Sequence, residues 1–420
     1  MNFRAPATLR AAIEQIGRIR RDARLVLWSL IVILTPFYFF DSGRPQVADM
    51  LGLILLVVVV RAWNGRLPPR LGKQLIALLM FIGYVILLNI GWSLIEFKFS
   101  INAKVGFLIA PTFYIFNGLI LFVFLLMYQT FGEFFLWLTA RLVLVAAVLQ
   151  AMLTLVSRAA VGRATAMFNN SNQLGYYALL SACIVLVSHK RLRLSTLQVT
   201  TGLAATSYLA LLSASKAALG SIAALGLVLV VTKIRTMIVV GLVFGALIFT
   251  SNPFSRAIDN AQQRIQSDES FGFIEERGYD RIYEYPQYLI AGAGEGAYNR
   301  FRETSLIGAH ELHSSMGTLF FCYGIVGVSL FGFFMWRTMK GTGFRAWLIV
   351  GTGFAYSMTH QGLRFRLLWV LLGMVAALRE VKLRERQARR AASLAAREAQ
   401  LAAARNAKAL AKAASTQEVS

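Results

Sequence analysis

Charge is scarce in this chain of 420 residues. Asp, Glu, Lys and Arg together make up 15% of it, where a soluble globular protein carries about 25%. With 57% of residues hydrophobic and a mean hydropathy of +0.59, too little solvating surface remains for an ordinary soluble enzyme. Acids are scarcest, 20 against 43 Lys and Arg, which leaves a formal charge of +23. On a soluble protein that balance would suggest nucleic acid. Here much of the excess flanks apolar spans at the two ends, where it reads as a topology signal on an anionic membrane face, and no nucleic-acid partner is expected. Cysteine is nearly absent: Cys183 and Cys322 lie inside apolar blocks, permit at most one disulfide, and exclude a disulfide scaffold. No alternating ten-residue pattern of a membrane barrel occurs. No small-residue cleavage site follows the arginine-rich start, which runs to Arg24, so a cleavable signal peptide is not expected.

What the chain has in abundance is long apolar blocks. They fall at about 25–40, 46–60, 74–95, 103–128, 133–157, 173–188, 195–212, 217–232, 236–251, 312–336, 344–358 and 365–378. Many approach the length that crosses a hydrocarbon core some 30 Å thick, and backbone groups in lipid must be satisfied within the segment, so each is predicted to be a helix. The expected fold is all-α: a polytopic integral membrane protein of about 12 transmembrane helices. An even count puts both termini on one side. The short loops on that side carry Arg61, Arg66, Arg70, Lys73, Lys190, Arg191, Arg193, Lys233, Arg235, Arg337, Lys340 and Arg345. The positive-inside rule therefore places both ends in the cytoplasm. The chain divides into a basic N-terminus at 1–24, helices over 25–251, one long outer loop at 252–311, helices over 312–378, and a basic Ala-rich tail at 379–420. The tail reads as a membrane-surface helix or a solvated arm.

On the outer side, basic residues cluster where that rule would not put them. Arg158 and Arg163 precede MFNNSNQLGYY; Lys216 sits in the turn LSASKAALG; Arg256, Arg264, Arg277, Arg281, Arg300 and Arg302 occupy the long loop; Arg364 and Arg366 lie in the last outer turn. Arginine at a membrane boundary is costly unless paired or snorkelled, and guanidinium forks suit phosphate oxygens. For a single residue, a carboxylate or lipid headgroup is the ordinary partner; for the group, an anionic ligand is the stronger reading. His310 and His313 stand three apart around Glu311 where the loop re-enters the membrane, one helical turn that would set both rings on neighbouring faces. A metal site needs at least one further ligand, and the loop offers no convincing one. A general base needs one imidazole beside a bound hydroxyl, and an ordinary histidine pKa of about 6.5 suits that role. In AGAGEGAYNRF, Gly292, Gly294 and Gly296 have neither a preceding strand nor a following P-loop lysine. They read as a tight turn, either structural or bringing backbone close to a substrate.

The run HSSMGTLFFCYGIVG has His, then Ser, nine residues, Gly, two residues and Gly, at His313, Ser314, Gly324 and Gly327. On a helix after a large outer loop, this pattern resembles the O-antigen ligase and O-antigen polymerase superfamily. RATAMFNNSNQLGYY, similar to that family's Arg…Phe-x-Asn-x-Asn segment, SASKAALG and RGYDRIYEYPQYLIAGAGEG extend the resemblance over about residues 155–375. The first four or five helices match in hydropathy alone. The resemblance implies a metal-independent glycosyltransferase of the GT-C kind in the bacterial cell inner membrane, without a cofactor. Such an enzyme passes a glycan from undecaprenyl diphosphate to an acceptor hydroxyl at the periplasmic face. His313 matches the histidine thought to assist the acceptor. Arg281, with Arg277 as second choice, looks like the loop arginine that holds diphosphate. Lys216 stands where the family usually has Arg, which keeps the charge and loses the fork. Arg163, Asn169, Asn172, Arg277, Gly294, Gly296, Ser314 and Arg364 complete the expected substrate contacts; Tyr279, Tyr283 and Tyr285 are further candidates for sugar contacts or packing.

Ligation would pass the glycan to lipid A core, in lipopolysaccharide biosynthesis; polymerisation would pass it to a second lipid-linked glycan. The ligase-type histidine motif tips the reading towards ligation. Two rivals remain: a transporter of lipid-linked oligosaccharide, for which Arg141 is the one candidate ionisable residue near the bilayer midplane, and a non-enzymatic assembly partner docking through the tail.

Overall fold

The structure, a computed structural model, describes residues 17, 19, 21–41, 43–95, 101–156, 164–228, 238, 242, 258–259, 262–263, 274, 277–301 and 311–417, side chains at 101–104, 299, 405 and 407–417 excepted. These residues are mostly helical, and among them there is no strand. The helices are α1 (Ala23–Leu34), α2 (Val47–Arg61), α3 (Pro69–Ile95), α4 (Ile101–Phe131), α5 (Glu133–Val156), α6 (Ser171–Ser188), α7 (Thr196–Ser213), α8 (Lys216–Val228), the single turn α9 (Arg281–Glu284), α10 (Ser315–Met339), α11 (Phe344–Ser357) and α12 (Arg366–Gln417).

Apolar runs set these helices, and small polar residues mark where they start. Asp22 accepts from the Arg24 N–H at 2.9 Å, Asn170 from Gln173 at 2.8 Å and Ser195 from Gln198 at 3.2 Å, each meeting a backbone donor that the first turn leaves unpaired. The apolar block at 236–251 lies, but for residues 238 and 242, outside the described residues. Most other blocks coincide with helices to within a few residues; the helix of the 25–40 block ends at Leu34, the 217–232 block is described only to Val228, and the helix of the 365–378 block continues to Gln417.

Among the described residues, five helices are long and apolar enough to cross a membrane: Pro69–Ile95, Val105–Phe131, Glu133–Leu155, Ser171–Ser188 and Ser315–Met339. The sequence-based expectation of twelve spans rests on apolar blocks that the helices do not all extend to spanning length. At 12 residues α1 rises only about 18 Å. α8 is apolar over its described span, Lys216–Val228. In α12 an apolar start runs without a break into the basic tail, which is exposed from Arg386 onward among the described side chains.

α6 is buried around its whole circumference and packs against α5, α7, α11 and α12, as expected of a helix with no polar face. α3 pairs with α4 and α10, and α4 with α12. Trp28 of α1 lies against Phe124 and Phe135 while its indole N–H reaches Thr139 Oγ1 at 2.9 Å, so a large buried ring keeps its one donor satisfied. Both cysteines are free and buried.

Side-chain contacts tie the loops together at each end of the bundle. At one end Arg191 bridges Glu133 and Glu385, Arg379 donates to the carbonyls of Arg337 and Thr338, and Gln129 donates to Arg66 O at 2.6 Å. At the other end the turns around 38–46, 164–170, 213–216, 277–301, 311–315 and 358–366 meet. Tyr38 N–H donates to Met167 O at 2.9 Å, Ala164 N–H to Leu212 O at 3.0 Å and Ser315 N–H to His360 O at 3.0 Å, and Arg366 pairs with Asp49 at 3.0 Å.

Candidate functional site

α10 is not one continuous helix. At Gly324 the backbone takes φ +60° and ψ −169°, a region open only to glycine, and the intrahelical bonds lapse there. The loop over 286–296 fills the break. Ala293 and Gly294 N–H donate to the Phe321 and Cys322 carbonyls at 2.9 and 2.8 Å, while the Ile325 and Val326 N–H groups donate to Leu289 and Ile290 at 2.8 and 3.3 Å. Donors and acceptors freed on both sides of the kink thus find partners in the loop. Where water is absent, each orphan would cost several kcal/mol. Side chains on Gly292 or Gly324 would overlap the opposing backbone, so both positions require glycine. Gly294 packs on Trp92 and Phe107, and Gly296 on the backbone of Gly106 in α4. All three glycines of AGAGEG approach the protein's own atoms closely, as a structural turn requires.

That docking delivers Glu295 to the bundle interior with 1% of its side chain exposed. Its Oε2 accepts from Tyr114 OH at 3.0 Å and Tyr323 OH at 2.5 Å, and its N–H donates to Asn89 Oδ1 at 2.8 Å. Its Oε1 pairs with Arg364, which pairs also with Glu311 and stacks on Phe113 at 4.6 Å. Arg300 braces the same loop: it donates to the Ala293 and Gly294 carbonyls from within a cage of Trp92, Phe107, Tyr288 and Phe301.

Next to this cluster lies the start of α10. Ser314 caps the helix, accepting from Gly317 N–H at 2.9 Å. Its hydroxyl meets Tyr279 OH at 2.6 Å, and Tyr279 donates to Met358 O at 2.7 Å. Burial holds the Tyr279 phenol above its usual value of 10, so it remains a donor at neutral pH. Leu312 and Ser314 are both fully buried, whereas His313 between them is exposed, so buried neighbours hold the backbone on either side of it. The helix begins at Ser315, and His313 therefore precedes it. The one-turn pairing of His313 with His310 expected from their spacing does not hold at His313, because the Ser314 cap ends the helix first; His310 lies outside the described residues.

Arg281 is 2% exposed, its guanidinium over Tyr298 at 5.6 Å and Phe301 at 6.0 Å. Gly278 sits between Arg281 and Leu312, one residue from the histidine. Arg277 donates to Thr359 O at 3.0 Å. Lys216 opens α8 after Ala214, whose φ of +45° makes the turn. Gly175 of α6 nests between Ser213 and Ala218, while Tyr176 reaches Ser357 Oγ at 3.3 Å, and Ser357 O accepts from Ser314 Oγ at 3.4 Å. His313, Ser314, Arg277, Arg281, Lys216 and Arg364 thus occupy one end of the bundle, linked through α6, α10 and the loop.

Asn169 donates to Phe40 O at 2.9 Å, and the Asn172 carbonyl accepts from Tyr356 at 2.7 Å. Tyr285 packs with Phe301 and Phe321, while Tyr283 is 63% exposed. Arg163, like Arg158, Arg256, Arg264 and Arg302, lies outside the described residues. Arg141 lies over the Trp137 ring at 4.1 Å. Sequence reasoning missed Glu295, Asn89, Tyr114 and Tyr323. The available signal was Glu295 itself, a lone acid amid glycine and apolar residues, since ionisable groups in such surroundings are costly and tend to be functional.

No protein-family model matches the chain, and no curated protein matches it.

Proposed function

We propose that the chain is a multi-pass glycosyltransferase of the bacterial inner membrane, with about twelve spans and both termini in the cytoplasm. It transfers a glycan from undecaprenyl diphosphate to an acceptor hydroxyl at the opposite face, with O-antigen ligation to lipid A core as the leading reaction. The observation that carries the reading is the exposed residue His313 between buried neighbours, at the bundle end that also gathers Arg277, Arg281, Lys216 and Arg364. The resemblance of HSSMGTLFFCYGIVG to the ligase and polymerase motif supports it.

In this reading the acceptor oxygen attacks the anomeric carbon, and the carbon–oxygen bond to diphosphate breaks. His313 takes the hydroxyl proton, and undecaprenyl diphosphate leaves with the bonding pair. Diphosphate is already a good leaving group, so cations that offset its developing charge supply what the step needs. A base well matched to ambient pH adds about 10²–10⁴-fold.

The test is transfer by purified full-length protein in nanodiscs, with undecaprenyl-diphosphate glycan and lipid A core, read on a gel. Wild type should shift the acceptor, and His313→Ala should lose about 10²-fold or more in rate. Product ladders from donor alone would identify a polymerase. Intact transfer by His313→Ala would overturn the assignment of the base.

A further inference from the structure

Arg364 is held by two carboxylates that differ in kind. Glu295 is built in: it is 1% exposed, one oxygen is taken by Tyr114 and Tyr323, the other by Arg364, and its own backbone is fixed through Asn89. Glu311 has 35% of its side chain exposed and meets the same Arg364 nitrogen, Nη2, that Glu295 holds, on a side chain that is itself 20% exposed. Arg364 Nε is buried and has no hydrogen-bond partner among the described residues. One guanidinium between two ionised carboxylates carries a net charge of about −1, which repels a phosphate rather than attracting it. If Glu311 swings away, the guanidinium, still fixed by Glu295, forms a neutral pair whose Nη2 has lost one of its two carboxylates and can donate to a phosphate oxygen.

We propose that Arg364 is a phosphate-oxyanion site whose resident occupant is the chain's own Glu311, and that an incoming diphosphate displaces that carboxylate. Glu295 is the positioning residue: it orients the guanidinium and stays in place during the exchange. The proposal rests on the diphosphate-donor reading for the identity of the ligand, while the exchange itself is testable without glycan transfer. It adds to that reading a self-made competitor. Occupancy by Glu311 lowers the apparent affinity by the fraction of molecules in which the fork is open, so the cluster favours ligands carrying enough charge to evict a carboxylate.

The experiment measures binding of inorganic pyrophosphate to the full chain in phosphatidylcholine nanodiscs by calorimetry. Glu311→Gln keeps shape and removes the competing charge, and it should bind pyrophosphate about tenfold tighter than wild type. Arg364→Gln in the Glu311→Gln background should abolish that gain. Equal or weaker binding by Glu311→Gln would overturn the proposal, as would a gain that survives Arg364→Gln. Arg364→Lys, which keeps the charge but not the fork, serves where Arg364→Gln fails to fold; it should lose most of the gain, and retention of the full gain would likewise overturn the site.

Repeating the titration in phosphatidylglycerol nanodiscs separates the sources of phosphate. A tenfold gain that persists assigns the site to a diphosphate, and one that vanishes assigns the same fork to a lipid headgroup. Failure of glycan transfer with the pyrophosphate results intact would remove the donor reading and leave the exchange standing.

Discussion

At one end of the bundle Arg191 spans Glu133 and Glu385 with side-chain exposures of 29%, 26% and 44%; at the other Arg364 spans Glu295 and Glu311, and Glu295 is 1% exposed. Both are arginines between two glutamates. The first triad is screened by solvent and joins the start of α5 to the tail side of α12. Such a pair gains little, about 0–1 kcal/mol, because water competes for each partner. The second is closed off at Glu295 by aromatic rings and by a loop folded into a broken helix. There the cost of removing charge from water is offset only because every oxygen of Glu295 is taken. Burial, more than the identity of the charges, separates an ordinary surface bridge from an organising centre.

The widest gap between the ends should come from deleting one carboxylate at each. Glu295→Ala should destabilise the protein by about 3–5 kcal/mol, since it strands two tyrosine hydroxyls and part of a buried guanidinium. Glu133→Ala should cost less than about 1 kcal/mol. Denaturant titration in mixed micelles measures both, and equal losses would erase the distinction. Next in size is Gly324→Ala, where a side chain in a glycine-only conformation meets the Ile290 carbonyl; roughly 2–4 kcal/mol is expected. Gly332→Ala, on the same helix with open space around it, is the control and should be near neutral. Ser314→Ala removes the α10 cap and should cost about 1 kcal/mol, with a larger loss of transfer activity than of stability if the cap's task is to hold His313.

The helices were legible in the sequence because lipid-scale apolar runs and their caps are local. So were the positions of Ser314 and Lys216, each at a helix start marked by small polar residues. The Glu295–Arg364 contact was not, because its members lie 69 residues apart and its other anchors, Asn89 and Tyr114, sit in α3 and α4. Hydropathy described those helices only as apolar, and a single Asn or Tyr does not disturb a hydropathy block. The kink at Gly324 was hidden for a related reason. Glycine occurs often in membrane helices, and what distinguishes this one is a loop more than thirty residues away by chain whose own glycines fit against it.

The smallest expected effect belongs to the solvent-facing triad and follows from pH. The Arg191 side chain, hydrogen-bonding Glu385, holds that carboxyl below its usual value of 4.5. A carboxylate lowered in the folded state adds stability that is full above the unfolded value and disappears as pH falls through the folded one. Thermal unfolding of wild type and Glu385→Gln should therefore differ by a small, constant amount from neutral pH down to about 5, then converge below the ordinary glutamate range. Added salt should shrink the gap at neutral pH, because both partners face water. A gap that survived both acid and salt would mean that Glu385 acts by packing, and the solvent-screened character assigned to this end would be wrong.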